Sequence, residues 1–120
     1  MSIPTDVASL QIMAHVYKKE SLQSIFEKTV ESLVEQVPYI DWAGIYMMEN
    51  EEKKLVAASD FDDHLEWEAN GRLKFPIKNS AGMQIGLLLV KSKQPIAFDM
   101  TDISTLETIA EAIGQESMAN

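Results

Sequence analysis

The 120 residues, 46% hydrophobic and 24% charged, have the size and composition of one globular domain with one core, read as a single unit over 1–120. Nineteen acidic against ten basic residues leave a net charge of -9, which repels nucleic-acid phosphates and anionic lipid headgroups. Lys18-Lys19 and Lys53-Lys54 are only pairs with glutamates beside them, so no local basic cluster is expected to offset that charge. The absence of cysteine excludes disulfides, thiolate nucleophiles and zinc–thiolate sites.

Residues 1–20 are polar and lack a continuous apolar stretch, so no signal peptide is expected; Leu87 to Val90, the longest apolar run inside a strand, is too short to span a bilayer, and the default location is cytoplasmic. Within residues 1–20, Pro4 and a capping Thr5 or Asp6 predict a helix over 5–17. Val7, Leu10, Ala14 and Tyr17 recur at helical spacing and define its apolar row, and Ile12, Met13 and Val16 widen it. A helix apolar over so much of its circumference touches more than one neighbour, either in the core or at a subunit interface.

Ser21 is a good N-cap for a second helix over 22–37, in which Leu22, Ile25, Phe26, Val30, Leu33, Val34 and Val37 keep the 3.6-residue period. Pro38 ends it, having no N–H to donate and biasing Val37 away from helical dihedrals.

Trp42 to Met48 is aromatic and apolar and reads as the first, central strand; Gly44 within it allows a backbone or ligand to come close. A polar turn over Asn50 to Lys53 leads to a second strand, Leu55 to Ala58. The acidic run Asp60 to Asn70 has no period and reads as a loop, and Asn70-Gly71 marks a turn. Leu73 to Ile77 is a strand that Pro76 assigns to an edge or a bulge. Asn79 to Gly82 turns the chain into Met83–Lys91, a long apolar strand fit for the sheet centre. Ile96 to Phe98 is a candidate edge segment. Asp99 and Asp102 resemble a capping box opening the last helix, whose apolar face is Ile103, Leu106, Ile109, Ala110 and Ile113, with Gly114 as its C-terminal cap. The order helix, helix, hairpin, loop, hairpin, helix predicts an α+β domain.

Phe75-Pro76-Ile77, then Ile85-Gly86-Leu87-Leu88-Leu89-Val90, then Phe98, Asp102 and Leu106 resemble the C-terminal signature of GAF domains. The resemblance covers about residues 22–114. It implies a GAF-like (PAS-like) antiparallel sheet covered on one face by the N- and C-terminal helices. Trp42-Ala43-Gly44-Ile45-Tyr46 further resembles the W-x-G-x-Y strand of the free methionine-R-sulfoxide reductases, a GAF subfamily, which implies that Trp42 and Tyr46 line a ligand pocket. The cysteines of that chemistry are absent here. The family's acidic central-strand residues align with Leu89 and Lys91, which argues against an amino-acid ligand. The segment between the second strand and the apolar-Pro-apolar strand is shorter than in the family.

Trp67 is either a lid packed over the sheet edge or an aromatic wall that closes a pocket with Trp42, Tyr46 and Phe75. The acidic run matches no EF-hand spacing, His15 and His64 have no second histidine at ligand spacing, and no glycine-rich phosphate loop occurs, so no metal or cofactor is expected. The expected function is a non-enzymatic GAF-like signalling module that binds a small ligand or a regulatory protein and homodimerises through its terminal helices, residues 1–20 included. The alternatives are a structural dimerisation scaffold with a closed pocket and a degenerate sulfoxide reductase.

Overall fold

The computed structural model describes residues 3–18, 21–60, 71–94 and 98–116. The elements are α1 (Ile3–Tyr17), α2 (Leu22–Gln36), β1 (Trp42–Glu49), β2 (Glu52–Ala58), β3 (Gly71–Lys78), β4 (Gln84–Ser92) and α3 (Met100–Glu116). The strands form one antiparallel sheet in the order β2-β1-β4-β3, so β1 and β4 are central and the proline-containing β3 is an edge, as Pro76 predicts. The α+β architecture matches the expectation. Of the candidate segment Ile96–Phe98, Ile96 and Ala97 lie outside the described residues, and Phe98 is not in a strand.

Both hairpins are set by turn chemistry. Asn50 and Glu51 have φ of 52° and 68°, the paired left-handed conformation whose twist suits a two-residue hairpin turn. In the β3–β4 turn the Asn79 Oδ1 accepts hydrogen bonds from the Ala81 and Met83 N–H groups, both at 3.0 Å, and Gly82 takes φ 82°.

Strand pairing places Ala43 and Ile45 beside Val90 and Leu88, and those beside Leu73 and Phe75. This inner face, with Ala57 and Ile77, packs against Ile25, Phe26, Val30 and Leu33 of α2 and Leu106, Ile109, Ala110 and Ile113 of α3. Ser21 caps α2 as expected, its side chain accepting the Ser24 N–H at 3.2 Å. Helix α1 lies across α2 and α3, burying Thr5, Ala8, Ile12 and Val16.

Of the wide apolar face of α1, the core takes the part bearing Ile12 and Val16 and leaves the Val7–Tyr17 row outside. Leu10 is 73% and Tyr17 80% exposed, Val7 and Ala14 are exposed too, and the buried row lies one step around the helix. Both rows are largely apolar, so periodicity alone cannot choose between them; the fit against α2 and α3 does.

The last helix begins where Asp99 and Asp102 predict. The Asp102 N–H donates to the Asp99 Oδ1 at 2.8 Å, and the Asp99 N–H donates to the Asp102 Oδ2 at 3.1 Å. The expectation that Gly114 caps this helix is wrong. Helix α3 runs on to Glu116, and a Cβ on Gly114 would overlap the carbonyl oxygen of Lys78. The glycine lets helix and strand touch; it does not end the helix.

Candidate functional site on the outer sheet face

The sheet's second face, away from the helices, is built by the alternate residues of the same strands. Register gives three cross-strand rows: Trp42–Lys91–Arg72, Gly44–Leu89–Lys74 and Tyr46–Leu87–Pro76. On the β2 side, Ala58 lies beside Gly44, and Leu55 lies beside Tyr46 past a register shift.

Trp42 is 1% exposed. Its six-membered ring occupies the space in which a Gly44 side chain would stand, and its Nε1–H donates to the Asp60 carbonyl at 3.0 Å. The W-x-G spacing is therefore explained locally: the glycine makes the slot and the indole fills it. Trp42 is held as structure at one end of the face.

Tyr46, two residues beyond Gly44, is half-buried, as are Leu55 and Leu87 next to it. Its hydroxyl has no hydrogen-bond partner among the described residues. A ring standing on an aliphatic floor with an unengaged hydroxyl can orient a small ligand.

Of the aromatic residues expected to form one pocket, Phe75 does not join Trp42 and Tyr46. Trp42 and Tyr46 share the outer face. Phe75, 5% exposed, lies opposite Leu88 in the core on the inner face. In a strand a shift of one residue exchanges faces, and the pairing with β4 sets the parity of β3. Trp67 lies outside the described residues, as do His64 and most of the acidic run.

The local charge also differs from the expectation of no basic cluster. Residues 71–94 contain Arg72, Lys74, Lys78, Lys91 and Lys93 and no aspartate or glutamate. These cations are dispersed along two strands, so a search for adjacent lysines misses them; counting charge by hairpin finds them. The Lys91 side chain is 3% exposed, whereas Arg72 and Lys74 are exposed.

The face is thus aromatic, aliphatic and cationic. Among the described residues no group of three histidine, cysteine or acidic side chains could hold a metal ion. The buried carboxylate, Asp102, sits elsewhere, beneath α1. It accepts the Thr5 hydroxyl at 2.8 Å and the Tyr39 hydroxyl at 2.7 Å while capping α3. Tyr39 packs edge-on against Phe98, ring centroids 5.7 Å apart. The Phe98 and Asp102 positions of the GAF-like signature are therefore a joint between α1, the α2–β1 connection and α3. No helix among the described residues is long and apolar enough to cross a membrane.

No protein-family model matches the chain, and no curated protein matches it in sequence. Solved structures do. The GAF domain of an Acinetobacter phosphoenolpyruvate-protein phosphotransferase aligns over 100% of this chain and 99% of its own, with a TM-score of 0.79 at 16% identity. A putative GAF sensor protein from Burkholderia vietnamiensis gives 0.78 over 94% and 92% at 13% identity. The reduced form of fRMsr of Staphylococcus aureus gives 0.77 over 93% and 94% at 18% identity. With the sheet order, the covering helices and the Phe98–Asp102 joint in place, the chain has a GAF fold.

Proposed function

We propose that the chain is a non-enzymatic regulatory module of the GAF type that meets a small ligand or a protein partner on its outer sheet face, centred on Tyr46. The observation that carries the reading is the half-buried Tyr46 beside Leu55 and Leu87, its hydroxyl without a partner among the described residues, at the centre of a sheet of GAF fold. The Acinetobacter and Burkholderia neighbours are described as a GAF domain and a putative sensor, which supports a regulatory role. The absence of cysteine supports the non-enzymatic part: a thiol-based reduction of methionine sulfoxide has no nucleophile here. With a thiol reductant and free methionine sulfoxide, no turnover above the protein-free rate is expected.

The module pairs with a second copy through α1. The apolar side chains of α3 that were expected at such an interface are consumed in the core, whereas Val7, Leu10, Ala14 and Tyr17 leave an apolar strip on the surface of α1.

A thermal-shift screen of amino acids, nucleotides and small carboxylates tests the ligand reading. A ligand at about 100 times its dissociation constant adds roughly 2.7 kcal/mol, several degrees in a domain of this size. The shift disappears in Tyr46→Ala if the reading holds. A second reading, a scaffold whose face is closed, is favoured by the buried Trp42 and Leu89 and predicts no stabilising compound.

A further inference from the structure

The β3 edge of the sheet, which no other strand pairs among the described residues, carries a second surface, independent of Tyr46. The Ser59 N–H donates to the Ala43 carbonyl at 2.8 Å, so the backbone groups of Ala43 and Ile45 point toward β2 and those of Trp42, Gly44 and Tyr46 toward β4. The alternation carries across β4. Gly71, Leu73, Phe75 and Ile77 therefore spend their backbone groups on β4, and Arg72, Lys74 and Pro76 turn theirs to the open edge. Pro76, which has no N–H, sits at an outward position where no ladder bond is lost. Among the described residues no strand takes up the Arg72 and Lys74 N–H groups or the Arg72, Lys74 and Pro76 carbonyls.

Alongside this edge runs a groove of about 660 Å³ between β3 and α3. Leu73, Phe75, Ile103 and Ala110 supply its apolar lining, with Glu107 and Glu111 on the helix side and Lys74 and Lys78 on the strand side. The outward side chains of β3 are Arg72 and Lys74, part of a hairpin with five cations and no acid. At physiological salt surface charges act mainly within about 8 Å, so Arg72 and Lys74 act on what lies directly beside them.

A strand added here has two unlike sides. Its outward residues lie beside Arg72 and Lys74 and favour carboxylates. Its inward residues enter the groove, where Leu73, Phe75, Ile103 and Ala110 favour apolar side chains. A second copy of β3 would set lysine and arginine against themselves, which disfavours self-pairing. We propose that the free edge of β3 accepts an extended peptide of alternating acidic and apolar residues as a fifth strand, its acids beside Arg72 and Lys74 and its apolar side chains against Ile103 and Ala110.

The test is an amide NMR titration of the full chain with an N-acetylated seven-residue peptide of alternating glutamate and valine, and with its lysine–valine counterpart. The acidic peptide is expected to shift the Arg72 and Lys74 amides and slow their hydrogen exchange, and to bind at least about tenfold more tightly than the basic one. Lys74→Pro removes an edge donor without touching the ladder, and Lys74→Glu reverses the charge; each weakens the acidic peptide by about tenfold, with thermal melts confirming that both variants fold. Equal affinity for the two peptides, no binding at millimolar concentration, or shifts confined to α1 or to the surroundings of Tyr46 would overturn the proposal. None of these outcomes bears on small-ligand binding at Tyr46, which the thermal-shift screen reads separately.

Discussion

Asp102 joins three parts of the chain through one carboxylate, and it was half legible in the sequence. Its spacing from Asp99 gives the helix cap directly, a local pattern three residues long. Its bonds to Thr5 and Tyr39 span 97 and 63 positions, and no local rule reaches that far. Asp102→Ala removes a cap and the carboxylate that accepts the buried Thr5 hydroxyl and the half-buried Tyr39 hydroxyl. The expected loss is about 3 kcal/mol of unfolding free energy, read by denaturant titration. Asp102→Asn keeps the shape and one acceptor oxygen and loses less. Trp42 illustrates the opposite case: its apolar surroundings place it in a strand, but a motif cannot say whether an aromatic ring faces a cavity or fills a slot. Gly44→Ala forces the indole out of that slot, and the tryptophan's burial fails together with stability.

Among the elements, strands and helices were legible because their periods are local, and faces were not. Phe75 has the period of a β-strand on either face, and only pairing with β4 places it in the core. The row of α1 that is buried was undecidable for the same reason, with apolar residues on both sides. Gly114 was misread because a glycine near a helix end has two uses, ending the helix or admitting a neighbour, and the neighbour is Lys78 of a strand far away in sequence. The two uses predict opposite signs. Alanine in place of an unhindered helical glycine stabilises by about 1 kcal/mol. Here the Lys78 carbonyl occupies the place of the new methyl, so Gly114→Ala lowers the melting temperature. In the β1–β2 hairpin, Glu51 holds a left-handed conformation that its side chain disfavours. Glu51→Gly creates the preferred Asn-Gly turn and raises stability by up to about 1 kcal/mol, measured as an upward shift of the melting midpoint.

For the whole molecule, the GAF-type arrangement came from several short signatures in the right order, and the sheet order β2-β1-β4-β3 agrees with it. The interface and the ligand face depend on which residues remain outside after packing, and that is a property of the folded chain. The exposed strip of α1 predicts a dimer in sedimentation at micromolar concentration, with an interface of about 1,000 Å² or more. Leu10→Glu, at a site 73% exposed, converts it to monomer while leaving the fold intact. A wild-type chain that sediments as a monomer contradicts the pairing.

The central claim is that ligands meet the face bearing Tyr46. Aromatic NMR resonances of Tyr46 and Phe75 test it most directly, because the two rings lie on opposite faces of one sheet. Titration with a compound that stabilises the protein is predicted to shift the Tyr46 ring resonances and leave those of Phe75 in place. A stabilising compound that moves Phe75 and leaves Tyr46 unchanged would contradict the account.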